Sequence, residues 1–186
     1  MASDRELLER ILAAQESFGP KRCGKFSGAV TVEVLRAGLR QAGFAVSNRD
    51  VFIRGVAIEV DLLLVRPGSD LSGRVLYEPT DVLVALEIKN VGSFGQATID
   101  KVRADFSRIS AACPAALCAY VTLAERESYK WAVTEGNLGH PAFTLFWLNH
   151  SGRQRHYQST GDWPRLLGVL QAQVGDNGGP DAQPRV

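Results

Sequence analysis

The chain has 186 residues, 45% of them hydrophobic and 22% charged, which is enough to bury one ordinary core and too few for two full domains. The longest apolar runs, Val82 to Leu86 and Leu117 to Val121, are far too short to span a membrane, and the opening Met-Ala-Ser-Asp-Arg-Glu has no secretory-signal pattern, so a cytoplasmic location is expected by default. A net charge of +1 rules out a molecule that attracts nucleic acid as a whole, so any phosphate-binding surface must be local.

Ser3 followed by Glu6 has the form of a capping box, and Leu7, Leu8, Ile11 and Leu12 recur at helical spacing, so the chain opens with a short amphipathic helix ending before Phe18-Gly19-Pro20. The loop that follows carries Lys21, Arg22 and Lys25. A second helix is expected from about Gly28 to Ala42, with Val30, Val34, Ala37 and Gly38 as its inward stripe and Gly43 as its C-cap. Ala57 to Val65 reads as one strand, ended by Pro67-Gly68, with Ile58, Val60, Leu62 and Leu64 on one face and Glu59, Asp61, Leu63 and Val65 on the other. Asp81 to Lys89 reads as another, with Leu83, Ala85, Glu87 and Lys89 sharing a face opposite Val82, Val84, Leu86 and Ile88.

The Gly92–Gly95 turn leads into a helix whose apolar positions are Ile99, Val102, Phe106, Ile109 and Cys113, ending at Pro114. A strand (Ala116 to Leu123), a helix (about Glu127 to Glu135, stopped by Gly136), a strand (Ala142 to Leu148) and a short helix from Pro164 follow. Gly175 onward reads as a disordered tail, which leaves one domain over 1–174 with its core at about 28–123. This order predicts an α/β fold, a mixed central sheet with helices on both sides.

Cys23, Cys113 and Cys118 are odd in number, match no zinc spacing and are expected to be reduced packing residues. His140, His150 and His156 have no metal-ligand spacing around them. Trp131, Phe143, Phe146 and Trp147 fall on regular elements and are read as core rather than as base-stacking platforms. Gly92-x-x-Gly95 lacks the Lys-Ser/Thr of a phosphate-binding loop, which removes ATP chemistry.

Two carboxylates are placed where carboxylates are costly. Asp61 and Glu87 sit inside apolar strands, where an ionised group costs several kcal/mol unless it is paired or holds a metal. Lys89 lies on the Glu87 face, about 7 Å further along the strand. If the two strands are neighbours, Asp61, Glu87 and Lys89 converge, and that set suits phosphodiester hydrolysis: hard oxygens hold Mg²⁺ and the lysine orients or deprotonates a water.

Asp61 followed after a gap by Glu87-Ile88-Lys89 resembles the PD-(D/E)XK, or restriction-endonuclease-like, nuclease superfamily, and the element order from Gly28 to Leu123 is similar to its core. Val60 stands where the literal motif has proline. The resemblance implies Asp61, Glu87 and the Ile88 carbonyl as metal ligands, Lys89 as the catalytic lysine, Mg²⁺ with Mn²⁺ as substitute, and DNA cleaved to leave a 5′-phosphate. By the same resemblance Glu33, on the preceding helix, is a further catalytic candidate, with a solvated surface glutamate as the alternative.

Glu59 is a secondary metal candidate or a partner of Arg54, Gln96 a polar helper or a helix-start residue, and Asn90 a phosphate contact or a strand end. Lys21, Arg22, Lys25, Arg153 and Arg155 are candidates for nucleic-acid binding. So short a chain leaves little room for a sequence-reading domain, which makes DNA structure, a homodimer or a partner protein the expected source of specificity, with RNA as an open alternative to DNA. A non-catalytic or partner-activated module of the same fold is the alternative to an active enzyme.

Overall fold

The computed structural model describes residues 3–17, 24–91, 95–125, 133–151 and 154–178. Lys21, Arg22, Cys23, Trp131 and Arg153, with most of the helix expected from Glu127, lie outside the described residues.

Five strands make the main sheet: β3 (Leu62–Val65), β5 (Val82–Val91), β6 (Leu117–Glu125), β7 (Ala142–Ser151) and β8 (Gln154–Ser159), in the order β3-β5-β6-β7-β8. β5, β6 and β7 run parallel and the two edge strands antiparallel to them. The central strands are apolar on both faces because both faces are covered, as parallel strands require. A second sheet, ordered β2-β1-β4, joins β1 (Val51–Ile53) to antiparallel β2 (Val56–Val60) and parallel β4 (Leu76–Tyr77).

The helices α1 (Asp4–Glu16), α2 (Gly24–Gln41) and α5 (Asp162–Gly178) cover one face of the main sheet. Leu7 and Ile11 of α1, Leu35 and Leu39 of α2, and Leu166 and Leu170 of α5 pack there on Leu62, Leu64, Val84, Leu86, Ile88 and Val121. The opposite face is covered by α3 (Gln96–Ala112), through Ile99, Val102, Phe106 and Ile109, and by the small sheet, through Val51, Ile53 and Val60. The α/β architecture with helices on both sides is therefore as the element order predicts.

Five local expectations are corrected. The run from Ala57 to Val65 is two strands in two sheets, broken by a bend at Asp61. Ile58 and Val60 consequently pack with Leu63 and Val65, while Leu62 and Leu64 face the other core, so strict alternation through Asp61 fails. In β5 a register shift opposite Leu64 and Val65 turns Leu83 toward the α1–α2 side and Val82 toward α3, reversing the faces expected for these two residues.

In α2 the buried row is Ser27, Thr31, Val32, Leu35, Gly38 and Leu39, whereas Val30, Val34 and Ala37 are only partly buried. The hidden polar side chains Ser27 and Thr31 displace the stripe by about one residue. Finally, α4 (Glu135–Leu138) starts where the earlier helix was expected to end. Thr134 caps it and Gly139, at φ 75°, terminates it, so Gly136 is inside the helix. At the C-terminus, α5 continues through Gly175 to Gly178, four residues into the expected tail, and 179–186 lie outside the described residues.

Candidate active site

The bend at Asp61 and the end of β5 make the site. Pairing between β3 and β5 starts at Leu62↔Leu86, so beyond Leu86 the edge of β5 no longer has β3 beside it. The Asp61 side chain takes over there, its Oδ2 accepting from the Ile88 backbone N–H at 2.6 Å. In an extended residue the C=O points to the same edge as the N–H. The Ile88 carbonyl is thereby turned toward Asp61.

Glu87 and Lys89 leave β5 on the face opposite Ile88. The Lys89 ammonium donates to Glu87 Oε1 and lies 3.8 Å from Asp61 Oδ2. All three side chains are only 21–33% exposed. Burial, and then the neighbouring Glu87 carboxylate, push the Asp61 carboxyl up to about 6, against the opposing pull of Lys89 and the Ile88 N–H. Burial alone would lower the Lys89 ammonium, but Glu87, Asp61 and the hydrogen bond to Glu87 outweigh it and raise the group above its ordinary value.

Two ionised carboxylates against one ammonium leave the three side chains one negative charge in excess, and Asp61, buried and beside Glu87, resists ionisation. The donor set therefore fits a hard divalent cation. No group of three or more His, Cys, Asp or Glu side chains suited to a metal occurs among the described residues. An ion held by Asp61, Glu87 and the Ile88 carbonyl would keep waters in its remaining positions, which matches Mg²⁺ better than a closed protein cage would.

The other candidates separate clearly. Glu59 lines, with Glu87 and Asp105, a small cleft between β2 and α3, and Arg54 is engaged by Glu78 at 2.7 Å. Glu33 is engaged by arginines. Its carboxylate accepts from Arg36 at 2.8 Å and lies 3.8 Å from Arg49, which is 3.5 Å from Asp50. Asp50, in the left-handed region at φ 56°, donates its backbone N–H to the Asp61 carbonyl. Neither Arg49 nor Asp50 is marked by periodicity, and only the structure links them to Asp61.

Gln96 is the exposed first residue of α3 and donates to Asp100 at 2.9 Å. Asn90 turns its side-chain oxygen inward, accepting from Thr31 and Gln15. Lys25 is in the first turn of α2 and Arg155 in β8. His140 packs edge-on against Phe106, Phe143 and Phe146 are buried, and Cys113 and Cys118 are buried free thiols. No helix among the described residues is long and apolar enough to cross a membrane.

No protein-family model matches the sequence, and no curated protein does either. Solved structures match by shape. The cAAA-bound form of NucC from P. aeruginosa ATCC27853 superposes with a TM-score of 0.63 at 10% identity, over 91% of this chain and 88% of that one. The cAAA-bound form of NucC from E. coli MS115-1 gives 0.62 at 12% identity, over 91% and 87%, and its apo form 0.55 at 14%, over 96% and 93%. At such identities the likeness concerns architecture alone, and what it establishes is that this chain is folded as the NucC nuclease fold is, two mixed sheets flanked by helices.

Proposed function

We propose that the protein is a metal-dependent endonuclease of the PD-(D/E)XK type that hydrolyses DNA, with Asp61, Glu87 and the Ile88 carbonyl as Mg²⁺ ligands and Lys89 as the catalytic lysine. The observation that carries this reading is the convergence of Asp61 with Glu87 and Lys89 across the end of the β3–β5 pairing, where the excess is a single negative charge. When bound, the ion supplies positive charge against the phosphate oxygens and acidifies a water molecule.

The residues of the chain do the rest. Asp61, its carboxylate fixed by the Ile88 N–H, and Glu87 hold the cation. Lys89, whose protonated form the carboxylates favour, holds the attacking water by hydrogen bonding and stabilises charge developing on the phosphorus oxygens. Lys89 thus orients the water or, where a bound cation offsets the carboxylate charge, takes its proton. Glu33, a further catalytic candidate, is linked toward Asp61 by Arg49 and Asp50.

Restriction, defence against foreign DNA and repair are settings this chemistry suits, and a homodimer would place one site on each strand of a duplex. A ligand-activated version is the second reading, because the solved structures that share this architecture include cAAA-bound forms of NucC.

The test is cleavage of supercoiled plasmid and of single-stranded DNA with Mg²⁺ or Mn²⁺, with and without cAAA, by wild type, Asp61→Ala and Lys89→Ala at matched folding. Metal-dependent nicking by wild type that falls at least about a hundredfold in both variants is expected. Cleavage that survives Asp61→Ala would overturn the site, and activity seen only with cAAA would select the ligand-activated version.

A further inference from the structure

A polar cluster lies buried between α1, α2 and β5, on the side of the sheet away from Lys89. Gln15 is 6% exposed, Ser27 7% and Thr31 0%. Asn90 Oδ1 accepts from Thr31 Oγ1 at 3.0 Å and from Gln15 Nε2 at 3.3 Å. The Thr31 hydroxyl also lies 2.9 Å from the Ser27 carbonyl, so its one proton is shared between two acceptors.

Packing does not explain these residues. Leu7 and Ile11 form the fully buried row of α1, and Gln15 continues that row one turn later, where an aliphatic side chain would bury more favourably. A buried polar group also costs about 1–3 kcal/mol if its partner is lost. What the cluster gains is direction: an apolar contact tolerates rotation, and a converging set of hydrogen bonds does not.

The end of β5 needs such a restraint. On one edge it is paired with β6 as far as Val91↔Ala124, but on the other β3 pairing ends at Leu62↔Leu86. Residues 87–91 are therefore held by a ladder on one side only, supplemented by Asp61 at Ile88. Asn90 follows Lys89 directly and leaves the strand on the opposite face, so clamping Asn90 fixes the rotation of the strand about its own axis and with it the direction in which Lys89 emerges.

We infer that Asn90, Thr31 and Gln15 are positioning residues, a clamp from α1 and α2 that holds the end of β5 so that the Lys89 ammonium stays between Glu87 and Asp61. The inference rests on the reading of Lys89 as the catalytic lysine. It gives Asn90 a role inside the protein through its side-chain oxygen, which accepts from Thr31 and Gln15.

The experiment compares wild type with Thr31→Val, which keeps the shape and removes the hydroxyl, with Asn90→Ala and with their double variant. The rate constant at saturating duplex DNA with Mg²⁺ is measured beside DNA affinity in metal-free buffer. A fall of about tenfold or more in rate with affinity within about twofold is expected, the double variant being no slower than Asn90→Ala because both changes break one network. Thr31→Ser, which keeps the hydroxyl, restores most of the rate.

A wild-type rate in Thr31→Val overturns the clamp, and so does weakened DNA binding in Asn90→Ala that Thr31→Val does not share, the mark of a direct contact to DNA. A second readout needs no turnover: the Lys89 backbone amide and side-chain resonances should shift in both Thr31→Val and Asn90→Ala, and unchanged Lys89 resonances overturn the inference. If wild type does not cleave at all, the nuclease reading fails by itself while the resonances still decide the clamp.

Discussion

Asp61 is held at a cost to the folded state. Its carboxyl titrates at about 6 in the fold against an ordinary 3.8, chiefly through burial and then through Glu87. Between those values the folded chain keeps a proton that the unfolded chain has released, so this group's contribution is fully present below about pH 4 and is lost as the pH rises through 6. Asp61→Asn keeps an acceptor for the Ile88 N–H and removes the charge. Urea denaturation should show the variant more stable than wild type at pH 7, by on the order of 2 kcal/mol, with the advantage gone at pH 4. Equal stability at both pH values would contradict this assignment. A residue that destabilises its own fold at neutral pH is what a site kept for chemistry is expected to contain.

At the scale of elements, α3 and the central strands were legible because one rule governs each. The five inward positions read from the α3 pattern are all buried, and Glu87 and Lys89 two apart on a strand necessarily share a face. The strand break at Asp61 was illegible because neither glycine nor proline marks it, and the aliphatic run continues on both sides. β1, β4 and β8 escaped for lack of length or of apolar alternation, β8 being Gln-Arg-His-Tyr-Gln-Ser. The true stripe of α2 was hidden by the buried polar residues Ser27 and Thr31, of which Thr31 donates to Asn90.

The same stripe makes a further prediction. A Cβ at Gly38 would stand 3.4 Å from two ring atoms of Trp163 and 3.6 Å from Leu7. Alanine there just fits and gains helix propensity, so Gly38→Ala should be near neutral. Gly38→Val should cost about 2 kcal/mol in chemical denaturation, because a rigid branched side chain must displace the indole. A neutral valine would show that α2 and α5 can separate without loss.

For the whole molecule, a net charge of +1 leaves no general attraction to DNA, so recognition depends on where cations and the proposed metal are placed. The proposed ligands lie at a structural joint: Asp61 is the bend between the small sheet and the main one, and Glu87 and Ile88 belong to the main one. A bound cation would tie the two together and add stability, about 2.7 kcal/mol at a hundredfold excess over its dissociation constant. Thermal unfolding of wild type should therefore shift upward with Mg²⁺ or Ca²⁺, while Asp61→Asn and Glu87→Gln unfold at a temperature independent of the ion. A shift of equal size in all three proteins would place the cation elsewhere.

The joint at Asp61 also governs where the chain can change length. One residue separates the last residue of β2 from the first of β3, and that residue must aim a carboxylate at the Ile88 N–H. An insertion or deletion there turns every following side chain to the opposite face, moving Leu62 and Leu64 out of one core and the carboxylate out of the site. The connection from Arg66 to Val75, bends and turns joining the same two sheets, is anchored toward its end, where Asn48 donates to the Leu71 and Arg74 carbonyls and Arg74 pairs with Asp81, while its Pro67-Gly68 turn is exposed. A change of length at that exposed turn therefore disturbs the two sheets less than the same change at Asp61, where the spacing is set to a single residue.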